Sequence, residues 1–399
     1  MNLPDLLAYA SDRVPFYQDK KVRVQDIRSF PIITKQNYME GYHRFMVPGT
    51  RNDQLQELKT SGSTGAPFIV YKQQSDYLAQ LKQLWTIRYR YHNVSPLDKG
   101  VDFIFGLPAR QTPLPPQLDK NDKKLYVHIN GLQEHFHKWL EAIYAFQPRY
   151  IIGYPSLLFM VAQLLQKNKM VLPPSITYVE SMGEFLSCPC REYLEQSFQL
   201  PVANYYGCTE IFGIAYSCPN HHLHIMKDNA YVEIIPKCRN ESAYGVEGNI
   251  VITGLNSLSP TFIRYNLQDI GILYPGDRCG CGSDSDYIEI RRGRQYQQVK
   301  VSPNKAIHSN TLFSVVEHVG QQMNHCILWF RFVQQGYDRL TVFLQLKNGY
   351  SMFQPTISMA IQKQLRLIFN SNTTIEVKYL ENEYDTDQHA KFQFIKTDL

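Results

Sequence analysis

The chain has no uninterrupted stretch near the roughly 20 apolar residues a helix needs to cross a bilayer, so no membrane span is expected. It has no Lys/Arg block of the kind nucleic-acid binders carry, and its net charge is only +5 over 399 residues. That mild positive balance suits small anionic molecules such as nucleotides and excludes a nucleic-acid partner from the expectations. Internal repeats and low-complexity segments are missing too. The opening run M-N-L-P-D-L-L-A-Y-A-S-D-R is too short and too acidic for a secretory leader, which makes the cytoplasm the expected location. In that compartment the eight cysteines read as thiols or metal ligands rather than a disulfide framework.

What is present is enough apolar material for a full core, with 44% hydrophobic and 13% aromatic residues. The length favours two domains. An amphipathic helix opens the chain. The proline-pinned runs V-P-F-Y (14–17) and F-P-I-I-T-K (30–35) are expected to pack on a domain surface. Helical spacing of Leu78, Leu81, Leu84, Trp85 and Arg88 predicts a helix over 76–92, after a strand at 68–71. Further strands are expected at 101–106, 150–152 and 176–180, and helices at 132–146 and at 156–168 with Ser156 as N-cap. Residues 111–124 read as an exposed excursion. This alternation predicts an α/β fold with a mostly parallel sheet flanked by helices. Beyond Tyr206 strands dominate, at 231–235, 249–253, 261–265, 270–274 and 287–290. A small α+β unit follows Gly293-Arg294, with strands at 328–333, 340–346 and 374–379 and a helix over 354–369. The domain division is therefore 1–293 and 294–399.

The most distinctive stretch is L-K-T-S-G-S-T-G-A-P (58–67). Thr60, Ser61, Ser63 and Thr64 interleave with Gly62 and Gly65, so backbone N–H groups and rotatable hydroxyls can converge on one anion. No Gly-Lys-Ser/Thr closes it, so it is not a Walker A loop. Composition alone also describes a linker. Three other stretches are unusually polar for their apolar surroundings: Y-Y-G-C-T-E (205–210), F-I-R-Y-N-L-Q-D (262–269) and Gly293-Arg294. Each alone has a plain structural reading: core packing for Tyr205 and Tyr206, a local ion pair for Arg264 and Asp269.

In this order and at these distances the motifs resemble the adenylate-forming superfamily. V-P-F-Y, F-P-I-I-T-K, G-Y-P-S (153–156) and F-R-F-V-Q (330–334) resemble its phenylacetate–CoA ligase branch, closer still the relatives connected with capsular-polysaccharide biosynthesis. The resemblance spans essentially the whole chain. It implies that Thr60, Ser61, Gly62, Ser63, Thr64 and Gly65 hold the β- and γ-phosphates of ATP. Tyr206 and Gly207 would line the adenine slot, Thr209 would touch the α-phosphate, and Glu210 would bind Mg²⁺ there. Asp269 would accept from the ribose, with Arg264 and Arg294 beside the phosphate–ribose region. Tyr154, Phe185 and Tyr205 are candidates for the acid pocket, and Glu184 for its edge. Lys391, in H-A-K-F, matches the superfamily's C-terminal lysine, with Ala390 in place of the usual glycine and Lys396 as the fallback.

The implied reaction joins a small carboxylic acid, aromatic acids among the candidates, to AMP and then passes the acyl group to CoA. Tyr296 stands where a hinge aspartate is usual, and 299–308 lacks the usual glycine. Both leave transfer to an amine or carrier protein open as the second reading. A nucleotide-binding subunit without catalysis is the third, against which Thr209, Glu210 and Asp269 speak. A homodimer is the partner that such relatives suggest.

Cys218 precedes P-N-H-H-L-H (219–224), and Cys279-Gly-Cys281 lies in a glycine-rich run about sixty residues later. Thiolates plus an imidazole suit a closed tetrahedral zinc site. The phenylacetate–CoA ligase-like relatives imply His224, rather than His221 or His222, as fourth ligand. Zinc would then brace the segment just after Glu210. Cys188 and Cys190 carry no assigned role.

Overall fold

The structure is a computed structural model that describes residues 1–20, 22–60, 68–104, 115–128, 135–236, 243–292, 298–302, 305–369, 372–380 and 395–397. The chain divides into two compact units. One holds Met1–Lys99, Thr177–Gly183 and Ala203–Arg294. The other holds Gly100–Ile176, Glu184–Val202 and Gln295–Leu399.

The first unit is built on strands hydrogen-bonded in the order Ala230–Ile235, Glu247–Gly254, Tyr265–Tyr274, Tyr287–Arg292, Leu223–Ile225, Ala215–Ser217, Val202–Tyr206 and Tyr178–Met182. Pairing is antiparallel from the first of these through Val202–Tyr206. A separate hairpin pairs Leu55–Thr60 with Phe68–Gln73, Thr60 opposite Phe68, so the hydroxyl-rich loop connects its two strands.

The helix Leu3–Arg13 starts where Asn2 accepts the Asp5 N–H at 2.9 Å and buries Leu6, Leu7 and Ala10. The runs 14–17 and 30–35 are interior, not surface: Val14, Tyr17, Phe30 and Ile33 are at most 1% exposed. Backbone chemistry explains this. The Tyr17 hydroxyl donates to Thr261 O at 3.2 Å and accepts the Ile263 N–H at 3.0 Å. Ile33 N–H donates to Arg264 O, and Asn266 N–H donates back to Ile33 O. These bonds also explain why 261–264 is not the expected strand. Its backbone groups go to Phe45, Tyr17 and Thr253, Arg264 turns at φ 53°, and the strand begins at Tyr265.

The helix Gln74–His92 forms as expected but faces inward with Asp76, Gln80, Leu84 and Arg88, while Leu78 is 53% exposed. Four-residue spacing puts those side chains on one stripe, and each polar one finds a buried partner.

In the second unit, Gly100–Ile104 pairs in parallel with Tyr150–Gly153 and Lys124–His128, and Gln117–Leu118 adds an antiparallel edge. Gly100 is obligatory, since a Cβ there would meet the Tyr150 ring at 2.2 Å. The strand Lys124–His128 emerges from what reads as excursion, and the helix Cys188–Phe198 is likewise additional. The helices Phe136–Phe146 and Pro155–Asn168 complete this part. Pro155 occupies the first turn, so Tyr154 rather than Ser156 is the cap residue, and the Glu184 carboxylate accepts the Ser156 N–H at 3.1 Å. Further on, strands run in the order Thr374–Tyr379, Arg339–Leu346, Ile327–Gln335 and Ile395–Thr397. With helices Ser309–Gln322 and Gln354–Leu365 they enclose a core that includes Leu312, Phe332, Val342, Ile357 and Ile361. No helix among the described residues is long and apolar enough to cross a membrane.

Candidate active site and metal centre

The strand Val202–Tyr206 ends in a turn over 207–213 that other elements hold from several sides. Gly207 lies against Tyr205, whose hydroxyl oxygen would be 2.5 Å from any Cβ at 207. That hydroxyl accepts the Gly213 N–H at 2.9 Å, and Gly213 takes the left-handed φ of 71° that closes the turn. Tyr205 is 9% exposed, and its contacts are those of packing beneath the turn.

Two tyrosines lock this segment crosswise to the strand Tyr265–Tyr274. The Tyr206 hydroxyl donates to Asp269 Oδ2 at 2.6 Å, and the Tyr265 hydroxyl donates to Glu210 Oε1 at 2.6 Å. Each segment thus contributes one aromatic donor and one carboxylate four residues apart. Hydrogen bonds to charged groups of this kind contribute about 1.5–3 kcal/mol each. Glu210 is 3% exposed, and its Oε2 has no hydrogen-bond partner among the described residues. A buried carboxylate oxygen with no protein donor is free to accept a ligand of its own, so Glu210 fits a hard divalent metal such as Mg²⁺.

Thr209, half-buried, is held through its backbone: Lys72 Nζ donates to Thr209 O at 3.1 Å and to Gln80 Oε1 at 2.8 Å. Gln80 Oε1 also accepts the Phe212 N–H at 3.1 Å. Neither Lys72 nor Gln80 stands out in the motifs. The signal for Lys72 is period-two alternation, since Phe68, Val70 and Lys72 all face inward on one strand.

Arg264 is buried, 2% exposed. Its Nε donates to Glu233 Oε2 at 3.1 Å, and Nη1 donates to the carbonyls of Phe30 and Arg28 at 3.2 and 3.4 Å. Its ion-pair partner is Glu233 rather than Asp269, and its contacts tie the N-terminal segment to the sheet. In the second unit, Tyr154 is half-buried, its hydroxyl pKa raised by burial and then by Glu184, while Phe185 is 41% exposed. Thr60 ends its strand with the backbone alone described. Ser61, Gly62, Ser63, Thr64, Gly65, Arg294 and Lys391 lie outside the described residues.

Behind the turn lies a second buried polar group. Arg88 Nε donates to Glu180 Oε2 at 2.9 Å, and the Tyr216 hydroxyl donates to the same oxygen at 2.8 Å. His92 stacks on Tyr178 at 3.9 Å between ring centroids. Burial pulls the His92 pKa down to about 4; Arg88 adds to this and Glu180 opposes it. The unfolded chain therefore binds a proton near pH 6.5 that the folded chain refuses until about pH 4. Stability falls as pH drops through that window, by about 2–3 kcal/mol for this group. His92→Phe, which keeps a stacked ring, should remove that share of the loss; urea unfolding at pH 7 and pH 4 measures it. An identical pH dependence in the variant would reject the assignment.

The Cys-Gly-Cys segment and the hairpin after Cys218 meet as the sequence implies. Cys218, His224, Cys279 and Cys281 place their ligand atoms within 4.8 Å of one another. Glycines 280 and 282 adopt φ of 69° and 82°, which turns both flanking thiols toward one point. The 3.5 Å between the sulfurs of Cys218 and Cys279 is close to the ~3.8 Å edge of a tetrahedron with ~2.3 Å metal–sulfur bonds. His224 Nδ1 lies 2.6 Å from Ser285 O, so that nitrogen carries the proton and Nε2, 3.3 Å from Cys281 Sγ, is the ligand atom. His222 lies outside this set, with Nδ1 3.0 Å from Cys279 Sγ and its ring on Tyr287. Three thiols and one oriented imidazole, largely buried, are a donor set suited to zinc.

No protein-family profile matches the chain. It is similar to Protein CapK of Staphylococcus aureus, 21% identical over 389 residues that cover 90% of this chain and 78% of that protein. It is also similar to the phenylacetate-coenzyme A ligase of Escherichia coli K12, 25% identical over 292 residues, 68% of this chain and 65% of that protein. Among solved structures, 2-hydroxyisobutyryl-CoA ligase in its postadenylation state superposes with a TM-score of 0.70 at 14% identity, covering 99% of this chain and 88% of that one. The acyl acid amido synthetase AtGH3.15 superposes at 0.65 and 12% identity, covering 95% and 85%. The α/β fold is thus the one seen in adenylate-forming ligases.

Proposed function

We propose that this protein is an AMP-forming ligase that activates a small carboxylic acid and passes the acyl group to an acceptor. The observation that carries the reading is the crosswise pair Tyr206–Asp269 and Tyr265–Glu210, which sets an aromatic ring beside one carboxylate and leaves on the other a buried oxygen with no hydrogen-bond partner among the described residues. The relatives' names supply the chemistry: CoA ligases and an amido synthetase, with acyl-AMP bound in solved neighbours.

An acid oxygen attacks the α-phosphorus of ATP, the bond to pyrophosphate breaks, and acyl-AMP forms. A thiol or amine then attacks the acyl carbonyl, loses its proton and releases AMP. In this reading Tyr206 and Gly207 form the adenine wall, Asp269 takes the ribose hydroxyls, and Thr209 meets the α-phosphate. Thr60 to Gly65 and Arg294 hold the remaining phosphates. Arg264 serves by bracing the start of the strand that carries Asp269. Mg²⁺ on Glu210 would supply positive charge where two anions approach. Tyr154 and Phe185 belong to the acid pocket. Residues 1–293 carry these groups except Arg294, which opens the stretch 294–399 that delivers Lys391. Zinc in the Cys218–His224–Cys279–Cys281 set is structural. CoA is the first acceptor; an amine is the second, favoured by the amido synthetase among the superposed structures.

Acid-dependent pyrophosphate exchange over a carboxylic-acid panel tests the first step, and product mass with CoA against an amine panel distinguishes the acceptors. Exchange with no acid in the panel would leave only an inactive nucleotide binder. Lys391→Ala should lower exchange by about 10²-fold or more while sparing transfer from supplied acyl-AMP, because its charge acts only in the adenylation transition state. Equal loss of both steps would reject that role.

A further inference from the structure

Lys72 is a charged side chain with no exposure to solvent, and nothing in the reading above requires it. Its ammonium is fixed by three groups of one small region: Thr209 O at 3.1 Å, Gln80 Oε1 at 2.8 Å, and the Phe212 ring, whose centroid lies 5.0 Å away. Gln80 is itself immobilised, with its Nε2 donating to Asn256 O at 3.0 Å and its Oε1 accepting the Phe212 N–H. The lysine therefore grips the turn at residue 209 directly and at residue 212 through Gln80. Asp76, Cys208 and Glu210 are the titratable groups that face it.

A lysine buried only to stabilise a fold is a poor choice, because desolvating an ammonium is costly unless its partners are well placed. Here the partners are the peptide between Thr209 and Glu210 and the support beneath it. The Thr209 carbonyl lies on the backbone from which both the Thr209 hydroxyl and the Glu210 carboxylate project, so a shift of this backbone would carry both away from their places. Fixing that carbonyl fixes both.

We infer that Lys72 is a positioning residue for phosphate recognition: it anchors the backbone of the turn that holds Thr209 and Glu210 at the α-phosphate and its metal. This rests on the Mg·ATP reading and adds to it a residue from outside the polar motifs. The nucleoside-facing groups Tyr206 and Asp269 are held by a different hydrogen bond and do not depend on it.

The test compares binding of Mg·ATP and of adenosine to the full chain by calorimetry. Lys72→Met keeps most of the side-chain volume and removes the donor. It should weaken Mg·ATP by about tenfold or more and leave adenosine within about twofold, and Lys72→Arg should recover most of the loss. A merely structural role would lower both affinities together or neither. If Lys72→Met does not fold, Gln80→Met, which removes the second grip but keeps the charge, must show the same selective loss of Mg·ATP. Unchanged Mg·ATP affinity in the folded variant, or parallel loss of both ligands, overturns the inference while the ligase reading stands. Wild-type protein that binds neither ligand overturns both.

Discussion

Glu210→Gln is expected to lower acid-dependent pyrophosphate exchange by about 10²–10³-fold, the scale seen when one fixed charge or dipole is removed from a transition state. The substitution is nearly isosteric. A glutamine carbonyl can still accept the Tyr265 hydroxyl, so the lock that holds residue 210 to the strand Tyr265–Tyr274 survives. What disappears is the negative charge on the buried oxygen that has no hydrogen-bond partner among the described residues. The Mg²⁺ concentration for half-maximal exchange should rise in step with the lost rate, and thermal stability should change little. Tyr265→Phe makes the complementary change, keeping the charge and releasing its orientation. It should cost about tenfold in exchange, since orientation is a smaller share than charge. A Glu210→Gln enzyme with an unchanged Mg²⁺ titration would remove Glu210 from the metal site.

Cys279→Ser is expected to strip the zinc and lower the melting temperature by about 10 °C or more, since structural zinc contributes folding free energy directly. Wild-type protein should carry about one equivalent. The scale follows from where the ligands sit. Cys218 follows the strand Ala215–Ser217, His224 lies in the strand Leu223–Ile225, and both pair with neighbours in one sheet. Without metal, the Cys279 and Cys281 segment keeps only hydrogen bonds to that hairpin, such as Asn220 Nδ2 donating to Cys279 O at 2.9 Å, and buried thiols are left without their metal. Exchange per folded molecule should fall less than stability, because among the described residues no hydrogen bond joins a zinc ligand to Tyr206, Thr209, Glu210 or Asp269. Wild-type protein with less than about half an equivalent of zinc, or a Cys279→Ser variant with an unchanged melting temperature, would overturn the site.

The sequence alone determined the order of the motifs and the alternation that makes an α/β fold, and it marked Cys218, Cys279 and Cys281 as metal candidates while leaving three histidines beside them, among which the resemblance pointed to His224. These are local signals: a Cys-Gly-Cys turn or a Thr-Glu after a tight glycine carries its chemistry within a few residues. Only the tertiary structure decided which side chains those motifs meet. Arg264 and Asp269, five residues apart, look like partners in sequence, yet their partners, Glu233 and Tyr206, come from other strands. The strand expected at 261–265 was lost because its backbone groups find donors and acceptors in Tyr17, Phe45 and Thr253. The inward stripe Asp76, Gln80, Arg88 shows the limit most clearly. Periodicity locates apolar faces, but a buried polar face is stable only through partners far away in the chain, and no local pattern records them.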